Sequence, residues 1–188
     1  MKKLGLLFMI AMVVLFNIGK AHAQLPNKVV FGMISINDGS FKPDEKKYAV
    51  LTDSLEKILK TRPNDTTCLF YRALLYLSFN SLLAKPYQGE RGALENLITA
   101  KSLTEKAVSL NMTNFNLKIL RAQIYKELTY RFTGDESWKY NSKQINIRKA
   151  QFNNFKELAN KYYDELAKLD SNNAYDYQKL KVTEKYPL

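Results

Sequence analysis

From residue 44 onward, apolar side chains recur at spacings of three and four, the pattern of helices that each bury one stripe. Tyr48, Leu51, Leu55, Ile58 and Leu59 share one face of a first helix. Pro43, Asp44 and Glu45 open it, the acids complementing the positive end of the helix dipole. Arg62-Pro63-Asn64-Asp65 stops that helix, and Asp65 or Thr66 caps the next. A second helix is predicted over 66–84 through Leu69, Phe70, Ala73, Leu74, Tyr76 and Leu77, and a third over 93–110 through Leu94, Leu97, Ile98, Leu103, Ala107 and Leu110. A fourth follows over 115–132 (Leu117, Leu120, Ile124, Tyr125, Leu128) and a long fifth over 141–169 (Ile145, Ile147, Phe152, Phe155, Leu158, Tyr162, Leu166). A last helix is predicted over 174–185. Most turns are short, which makes sequential helices antiparallel neighbours, while Lys85–Gly92, containing Pro86, is a longer loop. The expectation is an all-α body over 44–188.

Residues 24–43 depart from this period. Val29-Val30-Phe31 and Met33-Ile34-Ser35-Ile36 read as a short extended segment, and Asn37-Asp38-Gly39-Ser40 as a turn. This arm either packs on the body or stays free of it. Ahead of it, Met1–Ala23 has the form of a secretory signal peptide: Lys2 and Lys3, the apolar run Leu4–Phe16, and Ala21-His22-Ala23 with small residues at −3 and −1. Cleavage is expected before Gln24. An uncleaved membrane anchor is the rival reading, but the apolar run falls short of the roughly 20 residues that span a bilayer. No Cys follows the small residues, so lipidation is excluded there. The expected compartment is the periplasm or the exterior.

Charge and composition narrow the chemistry. Lys and Arg total 29 against 18 Asp and Glu, a formal charge of +11. Removing residues 1–23 takes away three lysines, no acid and the one histidine, His22. A processed chain therefore has no imidazole for a Ser-His-Asp or Cys-His nucleophile, and too few His and Cys for zinc. Cys68 has no disulfide partner and stands in the apolar run Cys68-Leu69-Phe70-Tyr71, where burial is expected. Gly89 and Gly92, in Gln-Gly-Glu-Arg-Gly, suit a turn rather than a phosphate loop. Asp135/Glu136 and Asp164/Glu165 are adjacent acids, and neighbours on a helix point in different directions, so Asp164/Glu165 is a poor catalytic pair. The sequence points to a non-enzyme with no cofactor, and a hydrolase ranks as a distant third.

Two stretches 49 residues apart are related. Arg72-Ala73-Leu74-Leu75-Tyr76 and Arg121-Ala122-Gln123-Ile124-Tyr125 share Arg-Ala-x-x-Tyr, and an Asn-containing turn precedes each. A third such turn is Leu169-Asp170-Ser171-Asn172-Asn173. The pattern resembles the tetratricopeptide repeat family, whose first helix carries a small residue three before a Tyr. Ala100 and Ala107 match the small positions of its second helix, with Thr104 replacing the aromatic between them. Ala159 and Tyr163 match in the next copy, with Leu166 replacing the second small residue, and Pro63 sits where the family has its inter-repeat proline. Small residues let helix backbones approach closely. The intervals Ala73–Ala100 and Ala122–Ala159 exceed the family spacing, so the hairpins are extended.

The resemblance implies antiparallel helical hairpins stacked as a short solenoid over 44–185, two full copies flanked by half-copies. It also implies a groove, lined by first helices, that holds an extended peptide. Carried onto this chain, the groove residues are Thr67, Phe70, Leu74 and Leu77 from the first copy and Asn116, Ile119, Gln123 and Lys126 from the second. Phe70, Leu74, Leu77 and Ile119 are also candidates for the core. The implied function is a non-catalytic protein-binding adaptor or scaffold of the bacterial cell envelope, with a protein or peptide partner. Export argues against nucleic acid. The alternative is a glycan- or small-ligand-binding accessory protein using the inter-helix loops. Lys139, Lys143, Arg148, Lys149, Lys156 and Lys161 make a basic region that either meets an anionic surface or is a solvated face. Trp138 is either a contact anchor or a cover for the hairpin end. Oligomeric state stays open.

Overall fold

The computed structural model describes residues 25–37, 45–83, 92–134 and 137–187. The leader, most of the Asn37–Ser40 turn, Pro43 and Asp44, the loop up to Arg91 and the Asp135/Glu136 pair lie outside them. Within them, a small antiparallel sheet of β1 (Asn27–Val30) and β2 (Met33–Ile36) precedes a helical body. The helices are α1 (Glu45–Thr61), α2 (Thr66–Leu83), α3 (Ala93–Ser109), α4 (Phe115–Tyr130), α5 (Ser142–Leu169) and α6 (Ala174–Lys179). The body is helical as its periodicity predicts, while the arm adds strands to a chain expected to be all-α.

Local chemistry explains the boundaries. The Asp65 carboxylate accepts the Cys68 N–H at 3.0 Å and the Asn114 side chain accepts the Asn116 N–H at 2.7 Å, capping α2 and α4. Asn141 and Gln144 form a reciprocal capping box at the start of α5. Asn111 adopts a left-handed φ of 61° just past α3. The Met112 N–H then turns back to the Ala107 carbonyl and the Asn111 N–H to that of Val108, a Schellman ending. The last helix stops at Lys179 instead of 185, because the tail is held by another element. The Asn160 side chain of α5 accepts the Val182 N–H at 2.7 Å and donates to its carbonyl at 3.0 Å.

Each helix packs on its neighbours in sequence, most closely α2 on α3 and α4 on α5. Ala73, Ala100, Ala107, Ala122 and Ala159 are fully buried, and their missing side chains allow that approach. The repeat is structural as well as sequential. Arg72 on α2 pairs with Glu56 on α1, and Arg121 on α4 pairs with Glu105 on α3, each across 16 residues. A third junction places Lys181 against Asp164 of α5 at 2.8 Å. The Arg72 guanidinium lies 3.8 Å from the Tyr76 ring centre, and that of Arg121 lies 4.1 Å from that of Tyr162.

Candidate binding face

Helices α2 and α4 carry the positions at which an extended partner was expected, and the chain's own N-terminal hairpin lies across them and reaches α6. Its two strands are joined by Phe31 and Gly32, with φ of 49° and 74°, the two-residue left-handed turn that matches strand twist. The reversal therefore falls inside what reads in sequence as one extended segment. Glycine is favoured at position 32 on two counts. Its φ is positive, and an added Cβ would stand 3.0 Å from Leu180 Cδ1 and from the Tyr177 ring.

At its start the hairpin leans on α2. Leu25 is buried and shares a small pocket with Thr67, Cys68 and Tyr71, and the Asn27 side chain reaches the Tyr71 hydroxyl. Along β2, Ile34 is buried, its strand packing on α2 and α4. The Ile34 N–H donates to Gln123 Oε1 at 3.0 Å, and Asn116 Nδ2 donates to Asn27 Oδ1 at 3.0 Å. At the turn itself the hairpin meets α6 through Gly32.

The eight positions named in sequence thus divide. Phe70, Leu74, Leu77 and Ile119 are buried in the core. Thr67 is half-buried beside Leu25. Asn116 and Gln123 hold the hairpin, and Lys126 is half-buried further along α4. Missing from the sequence reading were the residues that complete the face on the hairpin side: Leu25, Asn27, Gly32 and Ile34. Their signal was present as a Gly between two β-rich runs.

Elsewhere, Trp138 is 75% exposed, so it does not cover the hairpin end. In the basic region, the Arg148 guanidinium lies over the Tyr140 and Phe132 rings, and Lys156 donates to the Thr183 and Glu184 carbonyls of the tail. Lys143, Lys149 and Lys161 are exposed. Asp164 is held by Lys181 and Gln178, which lower its pKa below the usual carboxylate range, while Glu165 lines a separate cavity. Burial, with the nearby Asp65 charge, pushes the Cys68 thiol up to about 11, so it stays a thiol.

A buried polar cluster closes the far ends of α2 and α4. Arg131 donates to Asn80 Oδ1, and Asn80 donates to the Ala93 carbonyl. Among the described residues the buried Tyr163 hydroxyl has no hydrogen-bond partner; burial and the Glu127 charge raise its pKa. Among the described residues, no group of three His, Cys, Asp or Glu is placed to hold a metal ion, and no helix is long and apolar enough to cross a membrane. The chain matches no family model, no curated protein and no solved structure.

Proposed function

We propose that this chain is an exported, non-catalytic protein-binding scaffold of the bacterial cell envelope, built as a short tetratricopeptide-like solenoid with extended hairpins. The observation that carries the reading is the seating of residues 25–36. An extended segment lies across the first helices, its backbone N–H taken by a side-chain amide, Gln123, and its polar side chain by another, Asn116. A side-chain amide that accepts a main-chain N–H recognises extended backbone without demanding one sequence, which suits a peptide-binding face. The repeated Arg–acid junctions and the buried Ala73 and Ala122 support the solenoid. The charged start, apolar run and Ala-His-Ala pattern support export, and N-terminal mass analysis should find a chain beginning at or near Gln24.

In this reading a partner segment takes the place of the hairpin. Gly32→Val weakens the hairpin's seating without altering α2 or α4. It should therefore raise the yield of envelope proteins cross-linked to the chain, at positions 116–126. The triple variant Asn116→Ala, Gln123→Ala, Lys126→Ala should lower it. Equal yields from the parent and both variants would show that this face is not where partners bind.

A further inference from the structure

The internal repeat allows one junction to be compared with another. At the first, Lys106 on α3 donates its ammonium to the Pro63 carbonyl in the α1–α2 turn at 2.6 Å. At the second, α5 stands against the α3–α4 turn. The ion pairs fix the correspondence: Glu105 on α3 meets Arg121, and Asp164 on α5 meets Lys181. Ala100 and Ala159, each five residues earlier, are both fully buried. Glu165 thus follows Asp164 as Lys106 follows Glu105, and Met112 stands where Pro63 stands in the earlier turn. Where the first junction has an ammonium on a carbonyl, the second has a carboxylate.

The second junction is correspondingly open. A cavity of about 180 Å³ lies there, with Val108, Met112, Leu117 and Leu166 among its walls and Glu165 on its lining. A space of this order accepts a small apolar group, a cavity of about 150 Å³ being enough for benzene. Among the described residues the Met112 carbonyl receives no hydrogen bond, whereas its counterpart at Pro63 does. The carbonyl end of α3 adds partial negative charge. Two cations also line the space, Lys118 and Arg121. Arg121 is already matched, donating to both Glu105 oxygens at 2.8 and 2.6 Å.

We propose that this cavity binds the side chain of a lysine from an extended partner segment. The ammonium is taken by the Glu165 carboxylate and the Met112 carbonyl, and the methylene stem by the apolar walls. The partner thereby supplies the lysine that the chain supplies to itself at the first junction. The site uses different residues of α4 from those that hold the hairpin, so it does not depend on what that face binds.

The test is an amide-resolved NMR titration of the full chain with Nα-acetyl-lysine methylamide, its norleucine analogue and its glutamate analogue. The lysine compound should give saturable shifts at Met112, Leu117 and Leu166. Glu165→Gln should weaken it about tenfold, the loss of one charge-assisted contact. Glu165→Lys rebuilds the first junction's arrangement and should abolish binding while leaving the melting temperature unchanged or higher. Glu165 is exposed, so both variants keep the fold, as circular dichroism would verify. Equal binding of the norleucine compound would reduce the site to an apolar hole. Preference for the glutamate compound would assign it to Lys118 and Arg121. Either result, the absence of saturable shifts, or unchanged binding by Glu165→Gln overturns the proposal.

Discussion

Glu127, half-buried on α4, has a carboxyl raised above the ordinary carboxylate range by burial, which the Arg131 and Lys126 charges offset only in part. The folded state therefore holds that proton more tightly than the unfolded chain does. Stability falls as pH climbs from the ordinary carboxylate value through the raised one, and stays lower above it. Glu127→Gln should flatten the decline and raise the melting temperature at neutral pH, as thermal melts across the acid-to-neutral range would show. A parallel shift at all pH values would mean that the carboxyl does not titrate in this way. Packing makes a second demand at this scale. Ala122 is fully buried, and Ala122→Leu should cost roughly 1–3 kcal/mol through overpacking, measured by urea unfolding. Cys68, buried and held as a thiol, should react with a maleimide only when the chain unfolds.

Among the elements, the long helices were legible because their apolar spacing and their caps agree. Asp65, Asn114 and Asn141 each lie at a boundary that the sequence marks. The face each helix presents was less legible. Helix α2 is buried from Cys68 through Leu75, so no stripe separates its core side from its hairpin side. This is why Phe70, Leu74 and Leu77 read equally as groove and as core. The end of α6 was not legible at all, since a side chain from α5 draws the backbone of Val182 out of the helix. The hairpin lacked the usual Asn-Gly signal, and its turn owes its place to Gly32 fitting against Tyr177 and Leu180. Gly32→Val should loosen the hairpin from the body. The Ile34 amide, bonded to Gln123, should then exchange with solvent at least about tenfold faster, while amides within α3 and α5 keep their protection.

Across the molecule, three basic residues tie successive helical units together: Arg72, Arg121 and Lys181. They are not equivalent. Arg121 makes two bonds to Glu105, stacks on Tyr162 and is partly buried, whereas Lys181 and Asp164 are more exposed. Arg121→Ala should therefore cost about 1–2 kcal/mol and Lys181→Ala no more than about 0.5 kcal/mol in urea unfolding. The repeated ion pairs were invisible in sequence, because acid and base sit on different helices and only the fold shows that their separation recurs. The hairpin adds long-range links to a body in which each helix packs mainly on its sequence neighbours, since Asn27 and Ile34 reach their partners on α4 across 89 residues. That distance sets an order of assembly. Helices that touch their sequence neighbours close small loops and form early, while contacts between remote segments come late. The two strands are synthesised before α1 to α6, yet they can be seated only after α4 and α6 exist. Until then the apolar surface beneath Leu25 and Ile34 stands open, so the first of the described elements to be made is the last to find its place.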